Sequence, residues 1–70
     1  MRWVETDAGF INMGLVFRIY VKQEKDESWD VVYEINETSY YPLFVTSFSS
    51  KMEACMALKE FYRSHPGIFG

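Results

Sequence analysis

A single cysteine and a single histidine are the side chains best suited to nucleophilic catalysis in this 70-residue sequence. Cys55 and His65 both fall in one predicted helix, ten residues apart. At a rise of about 1.5 Å per residue they are separated by roughly 15 Å, too far for a cysteine–histidine pair. They also supply too few ligands for a zinc ion, which takes about four. We therefore predict no metal, a buried structural role for Cys55, and a place in the last helical turn for His65.

Other catalytic chemistries need groupings that the sequence does not contain. Asp30 and Glu34 have the spacing of a carboxylate pair on one strand face, but each is predicted to lie opposite a cation. The glycines are scattered and no serine lies in a nucleophile-elbow motif. A chain this short also has little room for an enclosed pocket. We expect a protein that is not an enzyme and uses no cofactor.

The composition describes one small acidic domain spanning residues 1–70, with a net charge of −3 and 49% apolar residues. One cysteine cannot form an internal disulfide, so oligomerisation is a natural source of extra stability for so short a chain. The acidic balance counts against nucleic acid as a partner, because that affinity rests on Lys and Arg neutralising phosphates. We find no apolar run long enough for a membrane span and no apolar leader, so we expect a cytoplasmic location.

Alternating apolar residues predict an antiparallel meander of three strands over residues 15–48. The first two, Leu15 to Lys22 and Trp29 to Ile35, have apolar side chains at every second position, the pattern of strands with one buried face. The third, Tyr41 to Phe48, is apolar on both faces, so its facing stays ambiguous. The poorly defined segment 1–13 leaves room for a fourth strand at the N-terminus.

Charged side chains select one register for the first two strands. Pairing Lys22 with Asp30 also sets Arg18 opposite Glu34. A slide of two residues keeps the apolar faces aligned but breaks both charge pairs. Each pair contributes only about 0.2–1 kcal/mol. The charges and the apolar pattern nevertheless agree on the same hairpin.

A C-terminal helix over residues 50–65 completes the predicted α+β fold. Ser50-Lys51-Met52-Glu53 is a capping box, and His65-Pro66-Gly67 ends the helix. The helix has an apolar stripe that should pack on one face of the sheet. The stripe consists of Ala54, Cys55, Leu58, Phe61 and Tyr62.

A single helix covers one face of a sheet, so the second face becomes the candidate interface. An exposed apolar patch of several hundred Å² usually marks a binding site. The candidate residues are Val16, Arg18, Tyr20, Lys22, Val32, Tyr41, Leu43 and Val45. They predict a protein-interaction module that pairs with itself as a homodimer or acts as an inhibitor, adaptor or accessory protein. The alternative is that residues 2–13 fold over this face and bury it.

A sheet-based DNA-binding module is the second functional hypothesis. Arg18, Tyr20 and Lys22 project from one strand face and could meet phosphate and base. The run Phe48-x-Ser50-x-x-Glu53-Ala54, which leads from a three-stranded sheet into a helix, resembles the arm-binding N-terminal domain of phage-type integrases over residues 17–62. That resemblance implies that the three side chains face DNA. The integrase domains are basic, however, whereas here Asp30 and Glu34 oppose the cations.

Overall fold

The protein is an α+β fold in which a hairpin, a three-stranded sheet and one helix follow each other along the chain. The computed structural model describes residues 3–7, 9–36 and 39–67. The elements are β1 (Trp3–Thr6), β2 (Gly9–Asn12), a 3₁₀ turn (Met13–Leu15), β3 (Arg18–Gln23), β4 (Trp29–Asn36), β5 (Ser39–Pro42) and α1 (Lys51–Ser64). The predicted antiparallel meander with a C-terminal helix is confirmed. The N-terminal segment forms a separate two-stranded sheet, β1-β2.

The predicted register of the β3-β4 hairpin is confirmed residue by residue. Arg18 lies opposite Glu34, Tyr20 opposite Val32, and Lys22 opposite Asp30. The strands are joined by a tight turn, in which the Glu24 N–H donates to the Ser28 carbonyl at 2.8 Å. Within this turn Glu27 has a φ of +69°, a left-handed conformation that costs a non-glycine residue energy.

The first strand starts later than predicted, because the chain makes a 3₁₀ turn before it. The Asn12 side chain stabilises this turn by accepting a hydrogen bond from the Gly14 N–H at 3.0 Å. Leu15 therefore belongs to the turn and not to a strand. Phe17 donates its N–H to the Glu34 carbonyl at 2.6 Å, one residue out of the β3-β4 register. This irregularity marks a bulge at the entry to β3.

The third strand is shorter than predicted and begins two residues earlier. After β5 ends at Pro42, Leu43 still donates its N–H to the Val31 carbonyl at 2.8 Å. The chain then bends, and it returns to β4 where Phe48 and Trp29 exchange backbone hydrogen bonds of 2.7 and 2.8 Å. The predicted continuous strand 41–48 was therefore wrong.

The helix begins where the capping motif predicts. The Ser50 hydroxyl accepts a hydrogen bond from the Glu53 N–H at 3.2 Å. The Glu53 carboxylate does not close the predicted box; it accepts instead from the Ser49 hydroxyl at 3.0 Å. At the other end His65 is the C-cap residue, and its Nδ1 lies 2.9 Å from the Phe61 carbonyl oxygen.

The apolar core lies between the helix side of the sheet, α1 and the N-terminal hairpin. Its buried members are Val4, Ile11, Met13, Val31, Leu43, Ala54 and Phe61. Ala57 and Leu58 pack against it, whereas Tyr62, predicted for the same stripe, is exposed. Cys55 is half-buried and not buried as predicted. No helix in the described part of the chain is long and apolar enough to cross a membrane.

Candidate functional site: the open face of the sheet

The face of the three-stranded sheet that points away from α1 is here called the open face. Its residues follow from the register, because directly opposed residues lie on the same side of a sheet. They are Arg18, Tyr20 and Lys22 of β3, Asp30, Val32 and Glu34 of β4, and Tyr40 and Pro42 of β5. None of them belongs to the apolar core that α1 covers.

A carboxylate on the central strand organises one half of the open face. Glu34 is only 5% exposed. Its Oε2 accepts from Arg18 Nε at 2.8 Å, and its Oε1 accepts from Arg18 Nη2 at 3.2 Å and from the Tyr20 hydroxyl at 2.8 Å. The Arg18 guanidinium also lies 4.3 Å from the centre of the Tyr20 ring. These contacts hold an arginine and a tyrosine in one geometry.

The ionisation of these groups follows from the same hydrogen bonds. The Arg18 guanidinium, followed by the Tyr20 hydroxyl, lowers the pKa of Glu34 below its ordinary value. The hydrogen bond to Glu34 raises the pKa of Tyr20, because a phenolate could not donate it. At neutral pH the cluster therefore contains an ionised carboxylate, a neutral phenol and a guanidinium cation.

A cation–aromatic contact covers the other half of the open face. Lys22 Nζ on β3 lies 3.3 Å from the centre of the Tyr40 ring on β5. Lys22 lies opposite Asp30 and Tyr40 lies opposite Glu34, so the contact between their side chains passes over Val32, which is midway between them on β4. This explains why Val32 is only 1% exposed. Lys22 pairs with Glu24 at 3.9 Å and not with Asp30 as predicted. The contact with Tyr40 raises the pKa of Lys22.

Four of the predicted interface residues share the open face, although one of them is not accessible. Arg18, Tyr20 and Lys22 lie at or near the surface, and Val32 forms the floor beneath them. The predicted stripe of Arg18, Tyr20 and Lys22 is thus present. The surface is polar and aromatic, however, and not the open apolar patch expected from the sequence.

The other four predicted interface residues lie elsewhere. Leu43 is 0% exposed and belongs to the core, because it pairs with Val31 on the helix side. Tyr41 lies opposite Tyr33 and contacts its ring at 5.5 Å between centroids. Val16 packs against the core, and Val45 is exposed in the bend that follows β5. These placements correct the predicted second face.

The N-terminal hairpin does not cover the open face. Val4 and Ile11 from the hairpin join the same buried cluster as Ala54 and Phe61 from α1, which places them on the helix side. The alternative that residues 2–13 bury the second face is therefore wrong for the described residues of that segment. Residues 2 and 8 lie outside the described part of the chain.

Four members of the open face were given no role in binding by the sequence prediction: Asp30, Glu34, Tyr40 and Pro42. Tyr40 was missed because it precedes the predicted strand and because the odd-numbered residues Tyr41 and Leu43 were assigned to the second face, which the even-numbered residues of β5 occupy. Glu34 was predicted as a charge partner of Arg18, but its second bond to Tyr20 needs a three-residue geometry that pairing alone does not reveal. Tyr20, Val32 and Pro42 lie opposite one another on the three strands. Tyr40 is two residues before Pro42 and therefore faces the same side, so a prediction that aligned these three residues would have included it.

A shallow groove of about 550 Å³ lies between the tip of the N-terminal hairpin and α1. Its apolar floor contains Phe44, Ala57 and Phe61, and Glu5, Asp7 and Glu60 are among its lining residues. His65 also lines it, but Nδ1 is engaged by a backbone carbonyl and the ring packs on Phe61 at 4.6 Å. Among the described residues, no three His, Cys, Asp or Glu side chains are placed to hold a metal ion.

Comparison with known proteins adds no assignment: no family model, curated protein or solved structure matches this chain.

Proposed function

We propose that this chain is a small non-enzymatic protein-interaction module that binds its partner through the open face. The observation that carries the proposal is the hydrogen-bonded cluster around Glu34. Binding normally costs conformational entropy when long side chains become fixed at an interface. Here three hydrogen bonds already fix Arg18 and Tyr20 in the free protein. A partner that docks on them loses less entropy for that reason.

The residue types on the open face also suit a protein partner. Tyrosine and arginine are enriched among the residues that dominate binding energy in protein interfaces. Arg18, Tyr20 and Tyr40 provide these types on one face, with Val32 as an apolar floor. A module of this kind suits a cytoplasmic inhibitor, adaptor or accessory protein, and the reducing cytoplasm would keep the lone Cys55 as a thiol.

Charge favours a protein partner over nucleic acid. Phosphate binding requires cations that are available to replace counterions. Arg18 is engaged by Glu34, and Lys22 is shared between the Tyr40 ring and Glu24. The open face therefore presents little uncompensated positive charge. The hypothesis of an integrase-like DNA-binding face, which rests on the same three side chains, gains no support from this arrangement.

A matched pair of tyrosines on β5 tests the proposal. Tyr40 lies on the open face and is 45% exposed, whereas its neighbour Tyr41 lies on the other face and is 43% exposed. Tagged wild-type chain, Tyr40→Ala and Tyr41→Ala are used to capture proteins from an extract of the producing cells. Retained proteins are identified by mass spectrometry and rebound as purified components. Circular dichroism confirms that each variant is folded.

We expect Tyr40→Ala to weaken binding of at least one purified partner by about tenfold or more, while Tyr41→Ala leaves it within about twofold. The partner is either another protein or untagged copies of this chain. Equal effects of the two substitutions on every retained protein would overturn the proposal. Retention of DNA or RNA fragments that depends on Tyr40 would favour the nucleic-acid alternative instead.

A further inference from the structure

The two edges of the three-stranded sheet are not equivalent. The strand order is β3-β4-β5, so β3 and β5 are the edge strands. At the β5 edge Pro42 lies opposite Val32 and lacks the N–H that strand pairing needs. At the β3 edge no described strand is paired and no proline interrupts the strand. Of the two edges, β3 is the one able to accept a further strand.

The hydrogen-bond phase shows which residues of β3 offer their backbone groups at this edge. Val31 bonds to Leu43, so its backbone groups face β5 and turn away from β3. Its partner Val21 is therefore in a non-hydrogen-bonded pair, and the N–H and C=O of Val21 point outward. Ile19 and Gln23 share this phase, since alternate residues of a strand point the same way.

A second copy of the same strand can pair here in few ways. In an antiparallel pairing of two identical strands, the two-fold axis passes either at one residue of each strand or between two residues. Only the first choice keeps both helices on one side of the joined sheet and sets outward N–H and C=O groups opposite each other. Each possible pairing is therefore centred on one residue. Centring on Tyr20 places Arg18 opposite Lys22 of the second copy, and this like-charge pair occurs twice. Centring on Lys22 places the two lysines opposite each other. Centring on Ile19 carries the pairing through the bulge at Phe17 into the 3₁₀ turn.

Centring on Val21 removes all of these conflicts. It places Arg18 opposite Glu24 of the second copy and Tyr20 opposite Lys22 of the second copy, each pair occurring twice. The first is an opposite-charge pair. The second repeats the cation–aromatic contact that Lys22 already makes with Tyr40 at 3.3 Å. Glu24 belongs to this edge because its N–H bonds to Ser28 in continuation of the hairpin register.

Glu24 supplies an independent observation. Its Oε1 is shielded from solvent and makes no hydrogen bond, and the Lys22 ammonium group is 3.9 Å away. A sheltered carboxylate oxygen without a donor is costly and calls for an explanation. Arg18 uses Nε and Nη2 on Glu34, which leaves Nη1 without a partner among the described residues. The Glu24 Oε1 atom is covered by atoms of this chain, so an arginine from a second copy would approach the Glu24 carboxylate at its other oxygen; the Glu24 side chain as a whole is 29% exposed.

We propose that β3 pairs antiparallel with β3 of a second copy of this chain, with Val21 on the two-fold axis. The resulting six-stranded sheet joins the two open faces into one surface. This inference goes beyond the proposed function: it assigns the β3 edge to a second copy and leaves the open face available for the proposed partner. An edge contact of this kind falls below the roughly 1,200 Å² of standard interfaces, so the dimer is expected to form between about 10 µM and 1 mM.

Charge and backbone variants test the dimer. Sedimentation equilibrium compares wild type with Glu24→Lys, which opposes two positive charges twice, and with Glu27→Lys, which makes the same change in net charge within the turn. We expect Glu24→Lys to raise the dimer Kd about tenfold or more and Glu27→Lys to change it by less than about threefold. Gln23→Pro, which removes an outward N–H at the end of β3, should also weaken the dimer. Equal effects of the two charge variants would overturn the proposal.

The register is tested by NMR on a mixture of isotope-labelled and unlabelled chains. We expect intermolecular contacts between the Hα atoms of Tyr20 and Lys22, since these residues form a close non-hydrogen-bonded pair. Contacts between the two Tyr20 residues would overturn the register. A protein that stays monomeric at 1 mM would overturn the dimer altogether. If Tyr40-dependent binding of a different protein survived in that case, the proposed function would stand and this inference alone would fail.

Discussion

The observed fold and the fold expected from sequence place Leu43 differently, because in the structure it lies in the core and not on the second face. It is 0% exposed and packs with Val31, Ala54 and Phe61. Leu43→Ala removes buried methyl and methylene groups and leaves a cavity, which costs about 2–5 kcal/mol. A domain of this length has roughly 4–10 kcal/mol of unfolding free energy in total. Leu43→Ala should therefore lower the thermal midpoint of unfolding by on the order of 10–30 °C.

Urea titration followed by circular dichroism measures this loss, with Val45→Ala as the control. Val45 is 75% exposed and only two residues away, so its truncation should change the unfolding free energy by less than about 0.5 kcal/mol. If Leu43→Ala lost less than about 1 kcal/mol and weakened partner binding instead, the placement of Leu43 in the core would be refuted. The facing expected from the sequence would then be correct.

Three further predictions concern the helix cap, the turn and pH. Ser50→Ala should lower the unfolding free energy by about 1 kcal/mol in urea titration, and an unchanged value would contradict the capping bond to Glu53. Glu27→Gly should raise it by up to about 1 kcal/mol, since glycine adopts a φ of +69° without strain; a loss would argue against that conformation. The pKa of Glu34 is lowered in the fold, so its stabilisation is present above pH 4.5 and disappears as pH falls through the folded pKa. The stability difference between wild type and Glu34→Gln should therefore shrink on acidification, and a pH-independent difference would contradict the Arg18 contact.

The β3-β4 hairpin could be predicted from sequence because two independent signals agree there. The alternating apolar residues restrict the register to steps of two, and the charges of Arg18 and Glu34 choose among those steps. The helix start was predictable for a similar reason: a serine cap precedes a run of good helix formers. Local chemistry and tertiary packing point to the same answer in both places.

The third strand and the N-terminal hairpin could not be predicted in the same way. Residues 41–48 are apolar on both faces, so nothing in their pattern says that Leu43 turns inward and Val45 outward. The strands β1 and β2 have four residues each, too few for alternation to stand out. The open face was found in part, since β3 supplied correct residues and β5 was read one residue out of phase.

The missing N–H of Pro42 limits how far copies of this chain can add to one another. A sheet with two free edges can accept a new copy at either side, and such head-to-tail growth has no natural end. With one usable edge on each copy, pairing of two copies leaves no edge that could accept a third, so growth stops at the dimer. In the proposed dimer, Pro42 prevents further copies from adding at the β5 edges and so protects against fibril formation at high concentration. Replacing it with valine would restore the donor and should turn a saturating light-scattering signal into one that continues to rise with time.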